Sequence, residues 1–194
     1  MRQFDSIVKM SHLRAQVMQI YNQTKSYLKN PQPVSDNLLY GEFHENSKHT
    51  TRMPYMKPVY DVLEKNRGKV IYFDFWARWC PPCLAEMEPL KQLRSKFSTD
   101  DLIIYSICVS EPKEQWEECL NEYSLRNRGI ECVHVTDYLG IDNYQKIRKQ
   151  WKIDRMPYYI LINRQGQIID FGTAARPSNP QLVSRIEEAV KDTK

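Results

Sequence analysis

The chain has 194 residues, with 28 Lys and Arg against 24 Asp and Glu and a formal charge of +4, a length that suits one globular domain with something attached. Apolar residues make up 41% and aromatics 11%, enough for a core and too much for wholesale disorder, while six glycines exclude a collagenous or Gly-rich repeat and no apolar run approaches the roughly 18 residues needed to cross a bilayer. The basic excess lies in residues 1–60 and residues 61–194 are neutral, a dilute charge that fits a solvated surface better than a nucleic-acid footprint.

Residues 4–28 carry Phe4, Ile7, Val8, Leu13, Val17, Ile20 and Leu28 at helical spacings and predict an amphipathic helix ended by Pro31 and Pro33. Its apolar face needs a partner: the main domain, another copy, or a further domain. Residues 30–57 lack periodicity and read as a linker or extended wrap, so the organisation is an N-terminal helix and linker over 1–57 and a domain over 58–194. Within that domain Tyr60–Asn66 reads as a short helix and Val70–Trp76 as a strand. A helix is expected over Pro81–Phe97, a strand over Leu102–Val109, a helix over Pro112–Arg126, a strand over Glu131–Val135 and a helix over Asn143–Trp151. Tyr158–Asn163 and Gln167–Phe171 form a hairpin around Arg164-Gln165-Gly166. Asn179-Pro180 opens a last helix with Leu182, Val183, Ile186 and Val190 inward. Strands alternate with helices and the series ends in a hairpin, which is an α/β sandwich with a mixed central sheet.

The five cysteines are Cys80, Cys83, Cys108, Cys119 and Cys132. An odd number is a poor match to a secreted disulfide framework. Only one pair is close in sequence, and no second pair or Cys/His pair completes a zinc site; no metal and no other cofactor is expected. The close pair follows a β-prone run, Tyr72-Phe73-Asp74-Phe75-Trp76-Ala77-Arg78-Trp79-Cys80-Pro81-Pro82-Cys83. A buried strand feeding Cys-x-x-C at a helix start is the layout of a dithiol redox site. Cys80 sits where free backbone N–H groups favour a thiolate, and Cys83 lies one turn on, within reach of a disulfide. Pro81 and Pro82 suit the first turn but withhold two donors from the Cys80 sulfur. With no His between the cysteines, the thiol pKa is expected near about 7 and not near about 3.5. The plainer alternatives are a structural disulfide or half a metal site. Both strand faces around Asp74 are apolar, so its carboxyl is expected to be buried and its pKa raised by desolvation; a buried acid satisfied by local hydrogen bonds is the alternative. Trp76 reads as core, Trp79 as an exposed apolar shoulder beside Cys80, and Arg78 as surface with a role in partner choice. Cys108 is expected to be buried and inert. A Cys119–Cys132 disulfide is conceivable, with structural thiols preferred.

Residues 60–194 resemble the thioredoxin superfamily, and Cys-Pro-Pro-Cys-Leu-Ala-Glu-Met-Glu-Pro is most similar to its TlpA/ResA-type thiol-disulfide oxidoreductases. The resemblance implies a thioredoxin-like fold with Cys80 as nucleophile and Cys83 as resolving thiol. It also implies that Asp74 is the acid that deprotonates Cys83. One departure is the missing Lys partner for this Asp, since Leu102–Val109 contains no Lys. At Arg155-Met156-Pro157-Tyr158 the resemblance implies a cis-proline, Pro157, with the Met156 backbone beside Cys80 accepting an extended substrate segment. The substrate side is then Trp79, Pro81, Met156 and Pro157. An ordinary proline at a strand start is the alternative. Glu86 matches an acid of the TlpA/ResA type that tunes the thiols or shuttles protons; alternatively it is a first-turn acid favoured by the helix dipole. The family's next proline comes two residues after this acid and Pro89 comes three after, so the helix kink is expected to be shifted.

The implied activity is thiol-disulfide exchange with protein substrates and an upstream electron donor, in the reducing direction. No nucleic-acid partner and no transmembrane segment are expected in the chain. The resemblance suggests the cell envelope, yet no apolar signal core follows the N-terminus, and the cytoplasm is the alternative. A thiol peroxidase competes weakly, because Phe73–Trp79 contains no Pro, Thr or Ser ahead of the cysteine. A binding module that keeps the fold and works through the N-terminal helix is the third reading.

Overall fold

The computed structural model describes residues 54–109 and 112–192. The expectations for residues 1–53, including the amphipathic helix and the linker, lie outside the described residues. A 3-10 turn at Pro54–Met56 leads into α1 (Lys57–Lys65), then β1 (Val70–Trp76), α2 (Pro81–Ala85), α3 (Met87–Ser95) and β2 (Leu102–Cys108). There follow α4 (Lys113–Glu122), β3 (Ile130–His134), α5 (Val135–Tyr138), α6 (Ile141–Gln150), β4 (Tyr158–Ile162), β5 (Ile168–Gly172) and α7 (Pro180–Lys191). The five strands form one mixed sheet in the order β3-β2-β1-β4-β5. β1 runs parallel to β2, and β2 to β3, whereas β4 is antiparallel to both β1 and β5. The central β1 is buried along its whole length, as a strand covered on both faces must be.

One face of the sheet carries Val70, Tyr72, Asp74 and Trp76. Under its lower half Leu90 and Leu93 of α3 and Leu182, Ile186 and Ala189 of α7 form one core cluster with Val70, Tyr72, Ile104 and Tyr159. Toward the end of β1 a second cluster joins Trp76, Cys80, Cys83 and Met87 to Trp116, Cys119 and Leu120 of α4. On the other face Phe73 and Phe75 meet Trp151, with ring centroids 6.1 Å apart in each pair, and Phe75 stacks on Tyr144 of α6. The Tyr55 hydroxyl donates to Gln150 Oε1 at 2.7 Å and Tyr138 to the Pro58 carbonyl at 3.1 Å, fastening the first turn and α1 to the α5–α6 side.

Two expectations are corrected. The helix expected over residues 81–97 is two helices, broken at Glu86. Pro89 has no N–H for the carbonyl of Ala85, and its ring crowds that carbonyl, so the helix restarts one residue on. Strand β3 begins at Ile130 and stops at His134, and an unforeseen one-turn helix follows. His134 starts that helix by accepting from Thr136 N–H, a use of His that no capping preference flags. The remaining boundaries hold or move by up to four residues, the largest at the end of α4, which stops at Glu122 and not Arg126.

Arg94 is buried on α3, and its guanidinium donates to the carbonyls of Leu102, Phe97 and Ser98. It thereby holds the α3–β2 connection and the start of β2. Each bond is charge-assisted, and removal takes this donor from the buried Leu102 carbonyl. Arg94→Ala is expected to lower the unfolding free energy by roughly 2–4 kcal/mol, read from the midpoint shift in urea at unchanged slope.

Candidate active site

Strand β1 ends at Trp76, and Ala77-Arg78-Trp79 turns the chain into α2, with Cys80 N–H bonded to the Ala77 carbonyl at 3.1 Å. Cys80 is the residue before the helix, and Pro81 and Pro82 fill its first turn. Those prolines fit there because first-turn N–H groups have no helical partner. They also leave the Cys83 N–H as a near donor to the Cys80 sulfur, at 3.3 Å. Cys80 and Cys83 form a disulfide with Cα atoms 5.3 Å apart. Both cysteines are buried, while Trp79 is 68% exposed and Pro81 is exposed. An apolar ring thus projects into solvent beside a shielded sulfur pair. Arg78 is anchored to α4 through Glu118 Oε2 at 2.6 Å and the Gln115 carbonyl.

Met156 packs against the cluster that contains Cys80 and Cys83, and Pro157 beside it is buried. The Met156–Pro157 peptide bond is cis. This loop enters β4, whose Tyr158 pairs with Phe75 at the dithiol end of β1.

Asp74 lies on the same face of β1 as Trp76 and is only 4% exposed. Burial pushes its carboxyl up to about 7, the hydrogen bond from Ser106 pulls it back, and the charge of Glu86 adds a further upward push. The Ser106 hydroxyl donates to Asp74 Oδ2 at 2.9 Å, and Ser106 stands opposite Asp74 in the β1–β2 register. A serine takes the place where the resemblance leads one to look for a lysine on this strand. Asp74 is thus buried and locally hydrogen-bonded, with its carboxyl pushed up to about 7 by burial.

Glu86 sits at the break between α2 and α3. Its carboxylate accepts from the Ser178 N–H at 2.8 Å and the Ser178 hydroxyl at 2.6 Å. It fastens the loop before α7 to the helix that carries Cys83. Neither Ser106 nor Ser178 was identified from the sequence. Ser106 had a signal, as the one hydroxyl-bearing polar side chain in an otherwise apolar strand apart from Tyr105. Ser178 had none, lying 92 residues from its partner. Cys119 and Cys132 are free thiols, not a disulfide, and Cys108 is buried. Among the described residues no group of three or more His, Cys, Asp or Glu side chains is placed to hold a metal ion, and no helix is long and apolar enough to cross a membrane.

The comparisons agree with this geometry. The thiol-disulfide oxidoreductase ResA of Halalkalibacterium halodurans is 25% identical over 129 residues, 66% of this chain and 66% of that protein. The chain spans between about half and two thirds of the length of such curated relatives. The solution structure of a putative thiol-disulfide oxidoreductase from Bacteroides vulgatus is 32% identical with a TM-score of 0.52, covering 65% of this chain and 76% of that one. A thiol:disulfide interchange protein from Bacteroides sp. shares the fold at 23% identity with a TM-score of 0.55, covering 68% of this chain and 80% of that one. The sheet, the Cys80–Cys83 pair and these likenesses make the fold thioredoxin-like, and residues 57–190 match the Redoxin family, to which this chain belongs.

Proposed function

We propose that the protein is a thiol-disulfide oxidoreductase that reduces protein disulfides. The observation that carries the reading is the buried Cys80–Cys83 disulfide at a helix start, beside an exposed Trp79 and packed with Trp76, the next residue on the face of β1 that carries the Asp74 carboxyl, raised to about 7. In the reduced enzyme the Cys80 thiolate attacks a substrate disulfide. A mixed disulfide forms and one substrate thiolate leaves. Asp74 then takes the proton of Cys83, the Cys83 thiolate attacks Cys80, and the second substrate thiolate leaves with the electron pair. Trp79, Pro81 and the Met156–Pro157 loop form the substrate side, with the extended substrate lying along the Met156 backbone as an added strand. Glu86 tunes the site through its charge on Asp74.

The reducing direction follows from the few donors available to the Cys80 sulfur, since a weakly stabilised thiolate makes a poor oxidant. An upstream thiol donor must return the electrons. The proposed catalytic unit is residues 58–194, with residues 1–57 as an N-terminal extension. The cell envelope is the proposed location, supported by the resemblance to the TlpA/ResA type. The test is a titration in glutathione buffers followed by tryptophan fluorescence, with Cys80→Ser as the control for turnover. A midpoint near about −270 mV is expected, and one near about −120 mV would make the protein an oxidant instead. Cys80→Ser is expected to abolish disulfide reduction; retained turnover, or no redox-dependent signal in the wild type, would overturn the reading.

A further inference from the structure

Among the described residues, the buried side-chain polar atoms without a hydrogen-bond partner are three indole nitrogens and one hydroxyl, that of Tyr159. An unmet buried hydroxyl costs about 1–3 kcal/mol, so its position asks for an explanation. Tyr159 stands opposite Asp74 in the β1–β4 register. Such cross-strand neighbours share a face, with Cβ atoms about 5 Å apart. Its ring stacks on Tyr72, centroids 5.7 Å apart and planes within 11°. The Tyr72 hydroxyl is already engaged, donating to the Ala175 carbonyl at 2.7 Å. The Tyr159 hydroxyl is therefore the uncommitted donor on the side of Asp74 away from Ser106.

The remaining groups around Asp74 are quickly sorted. Cys132 continues the cross-strand row beyond Ser106, and burial pushes its thiol up to about 12, so it stays neutral. Burial raises Tyr72 and Tyr159 as well, and both stay neutral. Cys83 packs with Trp76, two residues along the face that carries Asp74. Glu86 is the charged group of the helix layer: its charge acts on Asp74 and on Tyr159, with Arg176 opposing it at Tyr159 and Asp170 acting on Tyr72. Asp74 and Tyr159 are thus buried cross-strand neighbours, and Glu86, half-buried at the α2–α3 break, is the charge on the surface side that acts on both.

We propose that Tyr159 is a positioning residue for the base: its hydroxyl holds a water against the Asp74 carboxyl, and through that water the proton taken from Cys83 leaves toward Glu86 and solvent. The proposal rests on the role given to Asp74 above. The Cys83 thiol gives its proton to the Asp74 carboxylate, and the sulfur's electron pair forms the Cys80–Cys83 bond. The bond from Cys80 to the substrate sulfur breaks, and the substrate thiolate leaves with its electron pair. Asp74 passes its proton to the bridging water, which releases one to bulk solvent, where the substrate thiolate is protonated. A buried acid needs such an exit to be ready for the next turnover, and this chain has no Lys on β2 to provide it.

Tyr159→Phe keeps the ring and its stack and removes only the hydroxyl. Two readouts separate this proposal from the function it rests on. The first is the Asp74 midpoint from carboxyl-carbon NMR of the reduced protein, which needs no turnover. Losing a donor to the carboxylate disfavours its charged form, so the midpoint is expected to rise by roughly half a pH unit or more. Tyr72→Phe, with a hydroxyl already bonded elsewhere, is expected to leave it in place. The second is single-turnover resolution of a mixed disulfide, expected to slow roughly tenfold at pH 7. An unchanged Asp74 midpoint in a folded Tyr159→Phe overturns the proposal even if the enzyme is a working reductase. Should the variant fail to fold, the wild type decides: a water giving cross-relaxation to the Tyr159 ring protons is expected, and its absence overturns the proposal. Loss of the whole oxidoreductase reading would instead appear as turnover that survives Cys80→Ser.

Discussion

Cys83→Ser is expected to stop the reaction at its covalent intermediate. Cys80 keeps its place before α2 and the Cys83 N–H, a backbone donor, keeps its contact with the sulfur, so the first attack still occurs. A serine hydroxyl is not a nucleophile toward a disulfide at neutral pH, so resolution is lost. Turnover is expected to fall below roughly a thousandth of the wild-type rate. The enzyme should accumulate as a one-to-one adduct with a disulfide-bearing peptide, visible by intact mass and released by a small thiol. The other cysteines bear on this outcome because Cys119 and Cys132 lie in or against the same core cluster. Burial pushes Cys132 up to about 12 and raises Cys119 as well. The thiolate is the attacking species, so neither is positioned to rescue the variant at pH 7. Sustained turnover, or slow loss of the adduct to an internal disulfide with Cys119 or Cys132, would contradict that argument. Cys80→Ser, which leaves no attacking sulfur beside Trp79, is expected to form no adduct at all.

What could be read from the sequence is what local chemistry encodes. The run from Val70 to Trp76 is apolar on both faces except at Asp74, which predicts a central strand and a buried acid, and both are present. The Cys-Pro-Pro-Cys run predicts a dithiol at a helix start, and that is where the disulfide lies. The break at Glu86 was within reach, because Pro89 removes a donor at a definable position. The partners of the acids were not. Ser106 meets Asp74 only through the β1–β2 register, across 32 residues of chain. Tyr159 reaches the same row through an antiparallel pairing that no periodicity reports. The Glu86 carboxylate accepts from Ser178, a long-range tether that neither reading of this acid contained. Spacing identifies the candidate reactive groups, while the side chains that contact them arrive by tertiary register.

Asp74→Asn is expected to make the protein more stable and a worse enzyme. In an unfolded chain this carboxyl titrates near 3.8, and burial carries it to about 7 in the fold. Between those values the folded state holds a proton that the unfolded state has released. The contribution of this group to stability is therefore full below about pH 4, falls as the pH rises toward about 7, and stays at its low value above that. A difference of this size corresponds to roughly 4 kcal/mol at most, and the hydrogen bond from Ser106 has already recovered part of the cost of the buried charge. Asn carries no charge to desolvate, so urea unfolding at pH 8 is expected to show a gain of roughly 1–3 kcal/mol, and none at pH 4. In the same variant the proton of Cys83 has no acceptor. Resolution of a mixed disulfide is expected to slow roughly a hundredfold at pH 7 and to lose its rise near that pH. A structural carboxyl would give the first effect without the second. A variant that resolves the intermediate at the wild-type rate, with the wild-type pH profile, would remove Asp74 from the chemistry and leave it as a buried acid that the fold merely tolerates.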